Sequence, residues 1–184
     1  KRILGGYALK GAEIESGIHR ANKETADIFR RNEYEKNQYR YGFSVEGQGI
    51  TGIEKHFVQG FLTLFPFIGS EKNSADMYVK TAQEEVSHTP AYGLIVTVGN
   101  SRAEQVRSGM YYSRLVLEAH ALRLAVQPMS QALAEYPEME EQYNKIHKEY
   151  AQDGDTIQML FRIGVPVQEF PQSMRRDVMD LIEE

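Results

Sequence analysis

A chain of 184 residues has the usual length of one domain and is long enough to bury a core, so residues 1–184 are read as a single domain. Its 21 basic and 26 acidic residues, a formal net charge of -5, are interleaved, which leaves no basic face for a phosphate backbone and argues against nucleic acid as a partner. There is no cysteine for a disulfide or thiolate, and the longest apolar stretches, 57–68 and 115–126, are broken by Gln59, Glu118, His120 and Arg123, short of the roughly 20 apolar residues of a membrane span, so a soluble chain without a membrane partner is expected.

The opening Lys1-Arg2-Ile3-Leu4-Gly5-Gly6 has neither an initiator Met nor a signal-like apolar region. The chain is therefore expected to begin downstream of its natural start, with the cytoplasm as the default compartment. Across 11–41, Ile14, Ile18, Ala21, Thr25, Ile28 and Phe29 recur at three and four residues in a polar background and predict one amphipathic helix. Gly42, Gly47 and Gly49 mark a loop after it. A helix over 52–64 follows, ending near Pro66, then a polar turn at 70–74 and a helix to about Ser87, which His88-Thr89-Pro90 stops.

Residues 91–98, with the run Leu94-Ile95-Val96-Thr97-Val98 between Gly93 and Gly99, predict a strand covered on both faces. Ser101, with Glu104 three residues on, caps a helix over 102–126, whose second half (Leu115, Val116, Leu117, Leu122, Leu124) is apolar on most sides. It is expected to be a long, buried, central element of the domain or of a homodimer, ended by Pro128. Another helix over 138–152 follows Pro137, a second strand covers 157–163, and Ser173 is the expected N-cap of a last helix over 173–184. Many helices and few strands give an α+β fold class.

Candidate chemistry is sparse. The five histidines stand on separate elements without metal-ligand spacing, so no metal site is expected, and there is no Gly-x-Ser-x-Gly elbow, Gly-x-Gly-x-x-Gly or P-loop. Glu84 and Glu85 read as a solvated helix face rather than an acid/base pair. No catalytic acid, base or nucleophile stands out. Arg175 and Arg176, in the expected first turn after Ser173, are placed where guanidinium groups and free N–H donors can meet one anion.

The order of features across 99–181 resembles the C-terminal half of the FMN-dependent nitroreductase family. The glycine-bearing helix segment Ser108-Gly109-Met110-Tyr111-Tyr112-Ser113-Arg114-Leu115-Val116-Leu117-Glu118-Ala119 is similar to the family's central helix. Ala125-Val126-Gln127-Pro128-Met129-Ser130-Gln131 resembles the segment beside the flavin ring, and Met159-Leu160-Phe161-Arg162-Ile163-Gly164-Val165-Pro166 the late strand. Pro171-Gln172-Ser173-Met174-Arg175-Arg176 looks like the proline and arginine element, and residues 35–50 are similar to a lid-bearing, divergent branch of the family. The family's N-terminal arginine run has no counterpart here.

That resemblance implies a nitroreductase-like fold, with helices around a small, mostly antiparallel sheet. It implies a cofactor site in which Arg175 and Arg176 meet the FMN phosphate and Gln127, Pro128, Met129 and Ser130 lie by the ring, Met129 and Ser130 offering main-chain donors freed by the helix end at Pro128. The implied activity is hydride transfer from NADH or NADPH through FMN to a small-molecule electron acceptor such as a nitro compound or quinone, in a homodimer. A non-catalytic FMN-binding or storage protein and a helical interaction module without flavin are the alternatives.

Overall fold

The computed structural model describes residues 2–65, 71–168, 171–172 and 174–182. In chain order the elements are α1 (Arg2–Ser16), α2 (His19–Ile28), β1 (Phe29–Arg30), α3 (Glu33–Tyr39), β2 (Phe43–Ser44) and α4 (Gly52–Leu64). They are followed by α5 (Glu71–His88), β3 (Ala91–Val98), α6 (Arg102–Ala121), β4 (Ala125–Pro128), α7 (Glu140–Tyr150) and β5 (Asp155–Gly164), with short 3-10 turns between. The chain is mixed α+β and contains a small antiparallel sheet. By contacts it divides into two compact units, residues 1–18 with 76–167, and residues 19–75 with 168–184.

The first unit is built on a three-stranded antiparallel sheet in the order β3-β5-β4. Successive side chains on a strand point to opposite faces, so Leu160 and Phe161 of β5 serve different layers. On one side Leu160 and Ile157 join Ala8 of α1, Met129 and Ile146 of α7 in the buried core. On the other side Phe161 meets Tyr112 of α6, ring centroids 6.3 Å apart. Ile157 and Leu160 are three residues apart and would ordinarily face opposite ways, but the register shifts between Ile95 and Val96, leaving Gln158 as an extra residue and turning Ile157 to the core side. His147 ties α7 to this sheet. Its Nε2 accepts the Ile157 N–H at 2.9 Å, so the ring proton sits on Nδ1 and is donated to the Tyr143 carbonyl, 2.8 Å away. Close packing of α1 needs Gly11, where a Cβ would come within 2.6 Å of the Ala132 nitrogen.

Three sequence expectations for this unit need correction. The helix read over 102–126 stops at Ala121, and residues 125–128 form an edge strand. Leu124 N–H bonds back to Ala119 O at 2.8 Å and Arg123 N–H to His120 O at 2.9 Å, a Schellman ending with Arg123 left-handed at φ 58°. Glycine usually marks that position, and its absence hid the break. Nor is α6 enclosed within one chain: Gln105, Ser108, Tyr112, Leu115 and Ala119 turn inward, whereas Leu117 is 71% exposed and Val106 58%. Finally, β3 is an edge strand in which only Thr97 is buried, not a strand covered on both faces.

The single helix read over 11–41 is four elements, the end of α1 in the first unit and α2, β1 and α3 in the second. Gly17 and Ile18 close α1 with N–H bonds to Ile14 O and Glu15 O, 3.1 and 3.0 Å. After α2 the chain extends through β1, which pairs in parallel with β2, and Asn32 starts α3 by accepting the Glu35 N–H at 2.9 Å. Gly42, at φ 88°, lets the chain pass so close to Ile28 that a Cβ would lie 2.0 Å from its carbonyl oxygen. Helix α4 ends at Leu64 as expected, and Pro66 and Ser70 lie outside the described residues. Residues 71–74, expected as a turn, already belong to α5.

Because an L-residue in the left-handed region carries a steric penalty that glycine escapes, Arg123→Gly is expected to stabilise the chain by about 0.5–1 kcal/mol. Urea denaturation of the two proteins measures this, and a lower midpoint for the glycine variant contradicts the account of the helix end.

Candidate functional site

Gln127, Pro128, Met129 and Ser130 lie together in the first unit, on β4 and the turn after it. Gln127 stands opposite Arg162 in the β4–β5 register. Its Oε1 accepts from Arg162 Nε at 2.8 Å and Nη2 at 2.5 Å, while its Nε2 donates to Glu85 Oε1 at 2.9 Å. Arg162 Nη2 also reaches Glu85 Oε1 at 3.1 Å, which closes a three-residue network. Glu85 is thus half-buried and paired, not the solvated residue expected. This network borders a 130 Å³ cavity walled by Ala8, Ala12, Ala82 and Tyr78. Tyr78 donates to Glu15 at 2.6 Å, and its burial, together with that acceptor and its charge, pushes the hydroxyl far above the ordinary tyrosine range.

The main-chain donors expected at this segment are differently disposed. Met129 N–H is bonded to Leu160 O at 2.8 Å. The Ser130 hydroxyl donates to the same carbonyl at 3.0 Å and accepts the Leu160 N–H at 3.1 Å. Since Pro128 ends a strand rather than a helix, the ladder continues past it and engages the donor of Met129. What this segment presents outward is the free edge of β4 and the exposed Gln127 and Pro128.

Arg175 and Arg176 belong to the second unit, in a segment without regular secondary structure. Ser173 lies outside the described residues, and the one helical turn of the tail, Val178–Leu181, is capped by Asp177, whose carboxylate accepts the Met179 N–H at 3.0 Å. The free N–H donors expected of a helix start at the arginines are therefore not supplied there. Arg175 Nη1 donates to Met174 O at 3.1 Å, and the Arg176 guanidinium lies 4.3 Å above the Tyr41 ring. Tyr41 also covers Arg30, which the sequence reading passed over although the run Tyr34, Tyr39, Tyr41, Phe43 is unusually aromatic.

The same unit holds a charged cluster under α4. Glu46 pairs with Lys36 and, at 2.9 Å, with Lys55; Glu33 pairs with Lys55 at 3.0 Å and Lys36 at 3.2 Å. Buried Gln59 donates to Glu33 Oε1 at 3.0 Å. The polar face of α4 is thus turned inward, and its apolar stripe outward: Phe57 and Leu64 are each 75% exposed. Asn32, Glu33, His56, Gln59 and Thr63 line an open depression of 480 Å³ beside it. The hydrogen bond from Gln59, followed by those from Lys55 and Lys36, outweighs the opposing effect of burial and holds the Glu33 carboxyl down to about 2.

The fold class these elements define is α+β with a small antiparallel sheet. Comparison of the chain with models of known protein families, with curated proteins and with solved structures finds no match. Among the described residues no helix is long and apolar enough to cross a membrane, and no group of three or more His, Asp or Glu side chains is arranged to hold a metal ion.

A carboxyl whose folded-state pKa is depressed contributes stability above its unfolded value and loses it on protonation. With Glu33 near 2 against an ordinary 4.5, that contribution is present above about pH 4.5 and lost as the pH falls toward 2. Glu33→Gln should flatten the acid limb of the stability–pH curve across this window, as read from urea midpoints. Parallel curves for the two proteins would show that Glu33 is not the group responsible.

Proposed function

We propose that the chain is an FMN-dependent oxidoreductase of nitroreductase type that reduces a nitro compound, quinone or similar small acceptor with NADH or NADPH. The observation that carries this reading is the sequence resemblance over 99–181. Of its segments, 108–119 lie in α6, 125–128 form β4, and 159–164 lie in β5, with which β4 pairs antiparallel. When bound, FMN supplies the hydride chemistry. Gln127 and the open edge of β4 are the groups proposed to hydrogen-bond the ring, with Arg162 and Glu85 fixing the Gln127 amide. Met129 and Ser130 shape that edge through their bonds to Leu160, and Pro128 ends the strand. Arg175 and Arg176, in the second unit, are taken separately as a proposed pair of cations for a phosphate.

Replacing Arg175 and Arg176 together by Ala is expected to weaken FMN binding at least tenfold, about 1.4 kcal/mol, with the far-UV circular dichroism unchanged. Rapid reduction of the FMN-loaded protein by NADPH separates an enzyme from a flavin store. Purified chain that takes up no FMN removes the reading.

The exposed face of α6 supports a homodimer centred on that helix. Val106, Met110, Tyr111 and Leu117 lie on its outer side, and Leu122 follows at its end, all large apolar groups open to solvent in a single chain. Burying each contributes about 1.5–3 kcal/mol for a fully covered aliphatic or aromatic side chain. Equilibrium sedimentation at micromolar concentration should give twice the 21.0 kDa chain mass, with Leu117→Glu shifting the population to the single chain. A wild-type protein that sediments at 21.0 kDa rules the dimer out.

A further inference from the structure

A guanidinium inside a protein has five N–H donors to satisfy and a charge to balance. Arg30, the last residue of β1, is only 6% exposed. Its Nε donates to Tyr41 O at 3.0 Å and its Nη1 to Asp27 O at 3.0 Å. The rings of Tyr39 and Tyr41 lie 4.4 and 4.7 Å from its guanidinium carbon. Among the described residues nothing accepts from Nη2. Carbonyl oxygens and ring faces are weak counterparts for a full positive charge.

No carboxylate among the described residues pairs with Arg30. Against the effect of burial, hydrogen bonds from the Arg31 main chain and side chain hold the Glu35 carboxyl below the ordinary range, with a last and smaller contribution from the Arg30 charge. Yet the Glu35 oxygens are taken by Arg31, through Nη2 at 2.8 Å and the main-chain N–H at 2.9 Å. The surrounding chain is closed tightly on the guanidinium: at Gly42 a Cβ would lie 3.3 Å from Arg30 Nε. A second cation stands on the same aromatic ring, the Arg176 guanidinium 4.3 Å above Tyr41.

We infer that Arg30, Tyr41 and Arg176 form an oxyanion site that takes a phosphate group. Arg30 Nη2 is its buried donor and Arg176 its exposed cation. A phosphate group carries a charge of about -1.5 to -2 and enough free oxygens to accept from both guanidinium groups, so it satisfies the unpaired donor and balances two charges at once. A carboxylate balances one. Because Nη2 is covered, binding requires movement at the two half-exposed rings set against Arg30, those of Tyr39 and Tyr41, and Arg176 rests on the second. Inorganic phosphate and the phosphomonoester of FMN are two sources of the same group; in the second case the site deepens the flavin reading, with which it shares Arg176.

The intact chain is titrated with inorganic phosphate, FMN and riboflavin at low ionic strength, in the wild type and in Arg30→Lys, which keeps the charge but lacks the forked donor. Saturable phosphate binding that moves the Tyr41 ring signals in NMR spectra is expected, weakened at least tenfold in Arg30→Lys and unchanged in Arg102→Lys, a control on exposed α6. Should Arg30→Lys fail to fold, Arg176→Gln must give the same loss, since its side chain is exposed. Phosphate binding that depends on Arg30 while FMN binds no better than riboflavin supports the site and removes the flavin reading. Absence of saturable phosphate binding, or equal affinity in the wild type, Arg30→Lys and Arg176→Gln, overturns the site, even if FMN binds.

Discussion

The buried main chain at Leu160 is the constraint on which the first unit depends. Its N–H and C=O sit in the core layer, where an unpaired polar group costs about 1–3 kcal/mol, and both need partners from β4. Pro128 has no N–H to give. The next two residues close the gap: Met129 donates from its main chain, and the Ser130 hydroxyl both donates to the Leu160 carbonyl and accepts its N–H. Once this ladder is closed, Met129 is fixed in the cluster with Ala8, Ile146, Ile157 and Leu160, and α1 and α7 have a surface on which to pack. The same bonds fix the conformation of the proposed ring-binding segment.

In the second unit electrostatics organises the packing. Lys55 on the inner face of α4, Lys36, Glu33 and Glu46 neutralise one another in a half-buried cluster, and Gln59 of α4 also donates to the Glu33 oxygen that Lys55 engages. A helix held by its polar face has to leave its apolar face outside, and Ile53, Phe57, Phe61 and Leu64 are accordingly exposed. Arg30 is the exception in this unit, a buried charge balanced by π faces and carbonyls, and therefore the place where an anion has most to gain.

Much of the element order was legible in the sequence because its signals are local. Ser101 with Glu104, Pro137 at a helix start and Pro90 after a helix each act within one turn, and the elements they bound fall close to where they were read. The failures share a cause. Arg123 adopts a conformation that glycine usually announces, so a helix end and an edge strand went unseen. The three- and four-residue spacing over 11–41 is compatible with one helix, but Gly17, Asn32 and the β1–β2 pairing divide it. Of the candidate site, residue identities at 127–130 and 175–176 could be named from the resemblance, whereas their hydrogen-bond partners could not.

Composition and local pattern alone determined the α+β class, the lack of thiol chemistry, the long capped helix from Arg102 and the apolar strands that became β3 and β5, because these depend on residue type and short-range periodicity. Tertiary structure decided which faces of those elements are covered. An apolar stripe on α6 or α4 reads as core in sequence, since periodicity reports amphipathicity and not what lies opposite. The burial of Arg30 between two tyrosines, the pairing of Glu85 with Arg162 across 77 positions of sequence, and the capture of the Met129 donor by Leu160 are long-range events. They follow from chain crossings that no window of local sequence contains.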